Sequence, residues 1–149
     1  MLRRSLPLLV TLSLVLPAAA AVAQDFVPVT DAMLEHPAPG DWLHWRRTQD
    51  GWGFSPLTQI SARNVKTLKQ VWTKPMGSGP QEATPLVYNG VMYLPNRGDF
   101  IQAFDGATGN LRWEYHRVFP QGMQGGTNRS LAIWGTTLID AGGDNQIYA

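Results

Sequence analysis

Two stretches in the second half of the chain can be laid over one another, and this self-similarity limits the fold more than any other feature. TPLVYNGVMYLPNRGDFIQAFD, from Thr84 to Asp105, overlies RSLAIWGTTLIDAGGDNQIYA, from Arg129 to Ala149. Leu86 matches Leu131, Gly90 matches Gly135, Met92 and Tyr93 match Leu138 and Ile139, and IQA at 101–103 matches IYA at 147–149. Each copy gives an apolar strand, a turn and another strand. Asn89-Gly90 is the strongest turn signal, because both residues tolerate the positive φ of a two-residue hairpin. Between the copies, DFIQAFDGATGNLRWEYH adds a strand, a glycine-rich turn and a strand. No helical period intervenes, so the class is all-β.

Ala103 and Ala149 stand 46 residues apart in this register. A β repeat in the forties has the period of a β-propeller blade, which is four antiparallel strands. The expectation is a partial β-propeller of roughly two blades. The register also makes Ala149 the first residue of a further turn, so the array is expected to be truncated, with missing blades needed for closure. Unclosed blades would leave sheet edges and apolar faces bare.

The first half is less regular. Residues 1–23 carry Arg3 and Arg4, an apolar run and a small-residue site, and they read as a secretory signal cleaved after Ala23. The expected location is the periplasm. Residues 24–40, with Pro28, Pro37 and Pro39, read as an irregular leader across a surface. The third segment, 41–149, is the propeller portion. Within it, Ser61 is the expected N-cap of a short helical turn, and LKQVWTKPM reads as a strand offering Leu68, Val71 and Trp72 to a core.

Composition removes several functions. Without the signal's two arginines, the formal charge of +1 falls to about −1, so there is no basic surface for nucleic acid. Cysteine is absent, so neither disulfides nor a lipoprotein anchor is available. His36, His44 and His116 lack metal-ligand spacing. Asp99, Asp105, Asp140 and Asp144 are read as turn residues, and DAGGDNQ lacks the acid density of a Ca²⁺ loop.

AFDGATGNLRW resembles the tryptophan-docking motif of the eight-bladed quinoprotein propellers, carried here by Ala103, Asp105, Thr108, Gly109 and Trp113. A buried tryptophan packs a large flat area, Gly109 allows the turn, and Asp105 can cap backbone N–H groups. Further upstream, Trp45, Arg47, FSPLTQI and NVKTLKQVW resemble the N-terminal signature of quinoprotein alcohol dehydrogenases. The resemblance implies an N-terminal fragment of an enzyme that oxidises alcohols by hydride transfer to pyrroloquinoline quinone (PQQ). It places Glu82, in QEATPL, and Arg129, in TNRS, against the cofactor. A permanent guanidinium suits a carboxylated quinone whose carbonyl gains negative charge.

The same resemblance implies Ca²⁺ or a lanthanide held by residues of later blades, a later aspartate as base, and a cytochrome c or quinone as electron acceptor. No catalytic residue and no metal ligand is assigned within these 149 residues, and the chain alone is expected to be inactive. Many members carry adjacent cysteines before the arginine; Met123 and Gln124 stand in their places here. The alternative is a non-catalytic propeller scaffold of the cell envelope.

Overall fold

The structure, a computed structural model, describes residues 25–149; the signal read over 1–23 lies outside them. Strands β1 (Leu86–Tyr88), β2 (Val91–Asn96), β3 (Phe100–Asp105) and β4 (Leu111–His116) form one antiparallel sheet in chain order. Strands β5 (Leu131–Trp134), β6 (Thr137–Ala141) and β7 (Ile147–Tyr148) form a second. Two meanders side by side, with no closed barrel, are the partial propeller that the repeat predicts.

Turn chemistry sets the first hairpin. Asn89 and Gly90 both have positive φ, 47° and 74°, the pair that a type I′ turn requires. β2 then alternates buried and half-buried residues over Val91–Leu94. Leu86, Tyr88, Tyr93, Ile101 and Ala103 of the first sheet join Leu131 and Ile133 of the second in one core. Side chains such as Leu86, with no exposed surface, contribute about 1.5–3 kcal/mol each through burial.

The second hairpin departs from the expected register. Its loop is Gly135-Thr136, one residue beyond the place that Asn89-Gly90 holds in the first, and only the glycine has positive φ. Leu86 pairs with Tyr93, whereas Leu131 pairs with Asp140. Asp140, not Ile139, is therefore the counterpart of Tyr93, and Ile139 sits opposite exposed Ala132. A slip of one residue reverses the face of every side chain on a strand. Likewise Ile147, matched to buried Ile101, is 78% exposed.

The leader is more ordered than its prolines suggest. It contains a one-turn helix, α1 (Asp31–Glu35), with Thr30 Oγ1 accepting from the Met33 N–H at 3.3 Å. Five residues are too few to show a helical period. Val29 exchanges both backbone hydrogen bonds with Gly135, each 2.8 Å, and Trp42 does the same with Val87 at 2.7 and 2.9 Å. The leader and the residues after it thus tie the second sheet to the first. Val29 and Leu43 are core residues at 2% exposure, and buried Arg47 donates to the Pro37 carbonyl at 3.3 Å.

The expected strand LKQVWTKPM is not formed. Residues 68–76 pair with no strand among the described residues, and Leu68 and Val71 are exposed. Alternation alone does not make a strand; the backbone needs a neighbouring edge. The helical turn before it exists as a 3₁₀ turn, Val65–Thr67. Ser61 supplies its carbonyl to Val65 N–H at 2.9 Å. The N-cap residue is instead Asn64, whose side chain caps no N–H of the turn and accepts the Ser61 N–H on Oδ1 at 2.7 Å.

Candidate functional site

The loop between β3 and β4 is built around Asp105. Its Oδ1 accepts from the Ala107 N–H (3.2 Å), the Thr108 N–H (3.0 Å) and the Thr108 hydroxyl (2.9 Å). Its carbonyl accepts from Gly109 N–H at 2.8 Å, and Arg112 holds the other carboxylate oxygen at 2.8 Å. These bonds, the one from Arg112 foremost, lower the carboxyl pKa to about 2. Gly109, at φ +69°, turns its bare Cα toward the ring of Trp72, and Trp72 Nε1 donates to the Gly106 carbonyl at 3.1 Å. Trp72 is seated on this turn and not in the strand core that the alternation of LKQVWTKPM predicts.

Ala103 is fully buried, opposite Trp113 in the β3–β4 ladder. Trp113 is 42% exposed and rests against Tyr93, ring centroids 6.0 Å apart. It borders an open cavity of about 450 Å³ between the sheets, with Leu138, Asp140 and Ala149 on the other wall. Within AFDGATGNLRW the tryptophan and the glycine therefore face different neighbours.

Glu82 and Arg129 are brought together. Arg129 Nη2 lies 2.7 Å from Glu82 Oε2, although 47 residues separate them in sequence. Glu82 precedes β1 and Arg129 precedes β5, and the Thr84 N–H donates to the Arg129 carbonyl at 2.8 Å, joining the two approach segments. Both side chains are open to solvent, 46% and 68% exposed. Such a pair can neutralise itself or turn both groups toward an incoming polar molecule. Met123 and Gln124 border a nearby groove of about 360 Å³ with Gln81, Arg97 and Phe119.

Behind Arg129 lies a polar cluster of which only fragments were legible. Asn128, 5% exposed, donates from Nδ2 to Asp140 Oδ1 at 2.7 Å. Asp140 is not a turn residue: it lies on β6 at 2% exposure, and burial raises its carboxyl pKa. Asp99, a turn residue at 1% exposure, accepts from Gly143 N–H at 3.0 Å. Arg117 clamps both carboxylate oxygens of Asp144 and stands 3.7 Å from Asp99. Asp99 and Asp144 serve backbone and guanidinium partners, and Asp140 serves the Asn128 amide. Among the described residues, no group of three or more His, Cys, Asp and Glu side chains could hold a metal ion. No helix among them is long and apolar enough to cross a membrane.

Comparison with known proteins gives this geometry a context. Residues 42–149 match the family described as PQQ glucose/ethanol/alcohol dehydrogenase, β-propeller domain. The dehydrogenase subunit of alcohol dehydrogenase (quinone) from Gluconobacter oxydans (strain 621H) is 35% identical over 117 residues, 74% of this chain and 16% of that protein. Quinohemoprotein alcohol dehydrogenase ADH-IIG from Pseudomonas putida is 33% identical, across 88% of this chain and 19% of its own length. Among solved structures, quinohemoprotein alcohol dehydrogenase ADHIIG from Pseudomonas putida HK5 superposes with a TM-score of 0.70 at 31% identity, covering 83% of this chain and 19% of that one. The chain spans less than a fifth of the length of these relatives.

Proposed function

The chain belongs to the PQQ-dependent glucose, ethanol and alcohol dehydrogenase β-propeller family, and on that premise we propose that it is the N-terminal part of an exported quinoprotein dehydrogenase acting on alcohols. Its own contribution to the cofactor site is the pair Glu82 and Arg129. The observation that carries this reading is their approach to 2.7 Å at the entrances of two neighbouring sheets, both side chains open to solvent.

The donor set fits a carboxylated quinone. Arg129 presents a fixed fork of N–H donors and a permanent positive charge, suited to carboxylate oxygens and to a carbonyl oxygen gaining negative charge. Glu82 is an acceptor for an N–H or a protonated carboxyl group, and it holds the guanidinium in place meanwhile. PQQ, when bound, supplies the electron sink that the alcohol's hydride requires. The base and the ligands for Ca²⁺ or a lanthanide belong, in this reading, to later blades. The 149 residues alone then bind without turning over, and a cytochrome c or quinone takes electrons from the complete enzyme. Periplasmic location rests on residues 1–23. A scaffold would share the docking tryptophan but has no evident use for the solvent-facing pair.

Titration of the purified chain with PQQ, followed by tryptophan fluorescence, tests the site. Arg129→Ala is expected to weaken binding by roughly tenfold or more. Equal affinity of the two proteins removes Arg129 from the site. Alcohol- and PQQ-dependent dye reduction by the 149-residue chain refutes its inactivity.

A further inference from the structure

We infer that Asn128 and Asp140 are positioning residues for Arg129: their buried hydrogen bond fixes the segment from which the guanidinium reaches Glu82. The consequence for quinone binding rests on the function proposed above; the positioning itself does not.

Three observations carry the inference. First, Arg129 is anchored on both sides of its Cα. The preceding residue, Asn128, is pinned through its side chain to β6 of the second sheet at 2.7 Å. The Arg129 carbonyl is pinned to Thr84 N–H at 2.8 Å, on the approach to the first sheet and two residues from Glu82. Second, the Arg129 side chain is 68% exposed, so little packing orders it and its direction must come from the backbone. A flexible arginine loses considerable rotamer freedom when it is held, and an exposed ion pair alone contributes little toward that cost.

Third, Asp140 occupies a place where an apolar residue would serve the sheet better. Its counterpart in the first sheet is Tyr93, which pairs with Leu86 as Asp140 pairs with Leu131. Asp140 Oδ2 is buried without a hydrogen-bond partner among the described residues. A buried carboxyl with one unsatisfied oxygen is costly. What the fold obtains in return is the acceptor Oδ1, and the group that uses it is Asn128. Asp99 and Arg117 also face Asp140 electrostatically, but neither makes a hydrogen bond to it in the structure.

The test replaces both partners by isosteric apolar residues, Asn128→Leu with Asp140→Leu, in the full 149-residue chain. Removing both members of a buried polar pair can leave stability nearly unchanged. The readouts are the melting temperature, the ¹⁵N–¹H Nε signal of Arg129, and PQQ affinity. The expected result is a folded variant whose Arg129 signal collapses toward that of a solvated arginine and whose PQQ affinity falls roughly tenfold. A folded variant with the native Arg129 signal overturns the inference. If the double variant does not fold, the exchange Asn128→Asp with Asp140→Asn decides: it reverses the hydrogen bond, so a retained Arg129 signal supports positioning and a lost one in a folded protein refutes it. If the unmodified chain fails to bind PQQ, the quinone site falls, while the Arg129 signal still decides the positioning.

Discussion

Trp72 sits on Gly109: a Cβ placed on the glycine would lie 2.6–2.9 Å from Cδ2, Cγ and Cε3 of the indole, and the indole N–H donates to the Gly106 carbonyl at 3.1 Å. A residue of the unpaired segment thereby closes over the turn between β3 and β4. Gly109→Ala must accept φ +69° and displace the ring, so a loss of roughly 2–3 kcal/mol is expected in denaturant unfolding. Gly135→Ala is the control, because φ is +58° there but the space is open; a similar loss at both sites would show that backbone strain, not the tryptophan, decides.

Acid should loosen the same turn. The Asp105 carboxyl has its pKa lowered to about 2 from an ordinary 3.8, by Arg112 first and then Thr108. A depressed folded-state pKa contributes stability that is present above the unfolded value and is lost as pH falls through the folded one. The stability difference between the native chain and Asp105→Asn should be constant above about pH 5 and shrink from pH 4 toward pH 2. Melting curves over that range check it, and a difference independent of pH would count against it.

The leader should behave as part of the core. Val29 is 2% exposed and paired in both directions with Gly135. Val29→Ala removes two buried carbons and should cost about 1.5–2 kcal/mol. A variant as stable as the native chain would mean that residues 25–30 contribute no packing.

Arg129→Ala should separate binding from stability. The Glu82–Arg129 pair is exposed on both sides, so its loss should change unfolding by at most about 1 kcal/mol. Calorimetry showing a larger fall would make the pair a structural clasp and not a binding group.

The hairpins were legible because their information is local. Asn89-Gly90 demands its turn wherever it stands, and alternation from Leu86 to Ala103 marks an inward face. The second hairpin lies one residue from the place that overlay gives it, because the turn there begins at Gly135 with a different geometry and sequence overlay cannot see strand pairing. Asp140 lies on β6 and not in a turn for the same reason. Helix α1 leaves no periodic signal in the sequence, because one capped turn has no period. LKQVWTKPM has the look of a strand because its alternation is real, and its missing partner is not a sequence property.

By itself, the sequence determined the all-β class, the repeat of strand and glycine turn, and the resemblance to the family that residues 42–149 match. These depend on residue type and short spacing, which the chain states directly. Only tertiary structure decided that Trp72 is the residue seated on Gly109, that Glu82 meets Arg129, and that Asn128 and Asp140 stand behind that meeting. Each joins residues separated by a turn or more of the fold, and their approach is set by how the two sheets and the leader pack together.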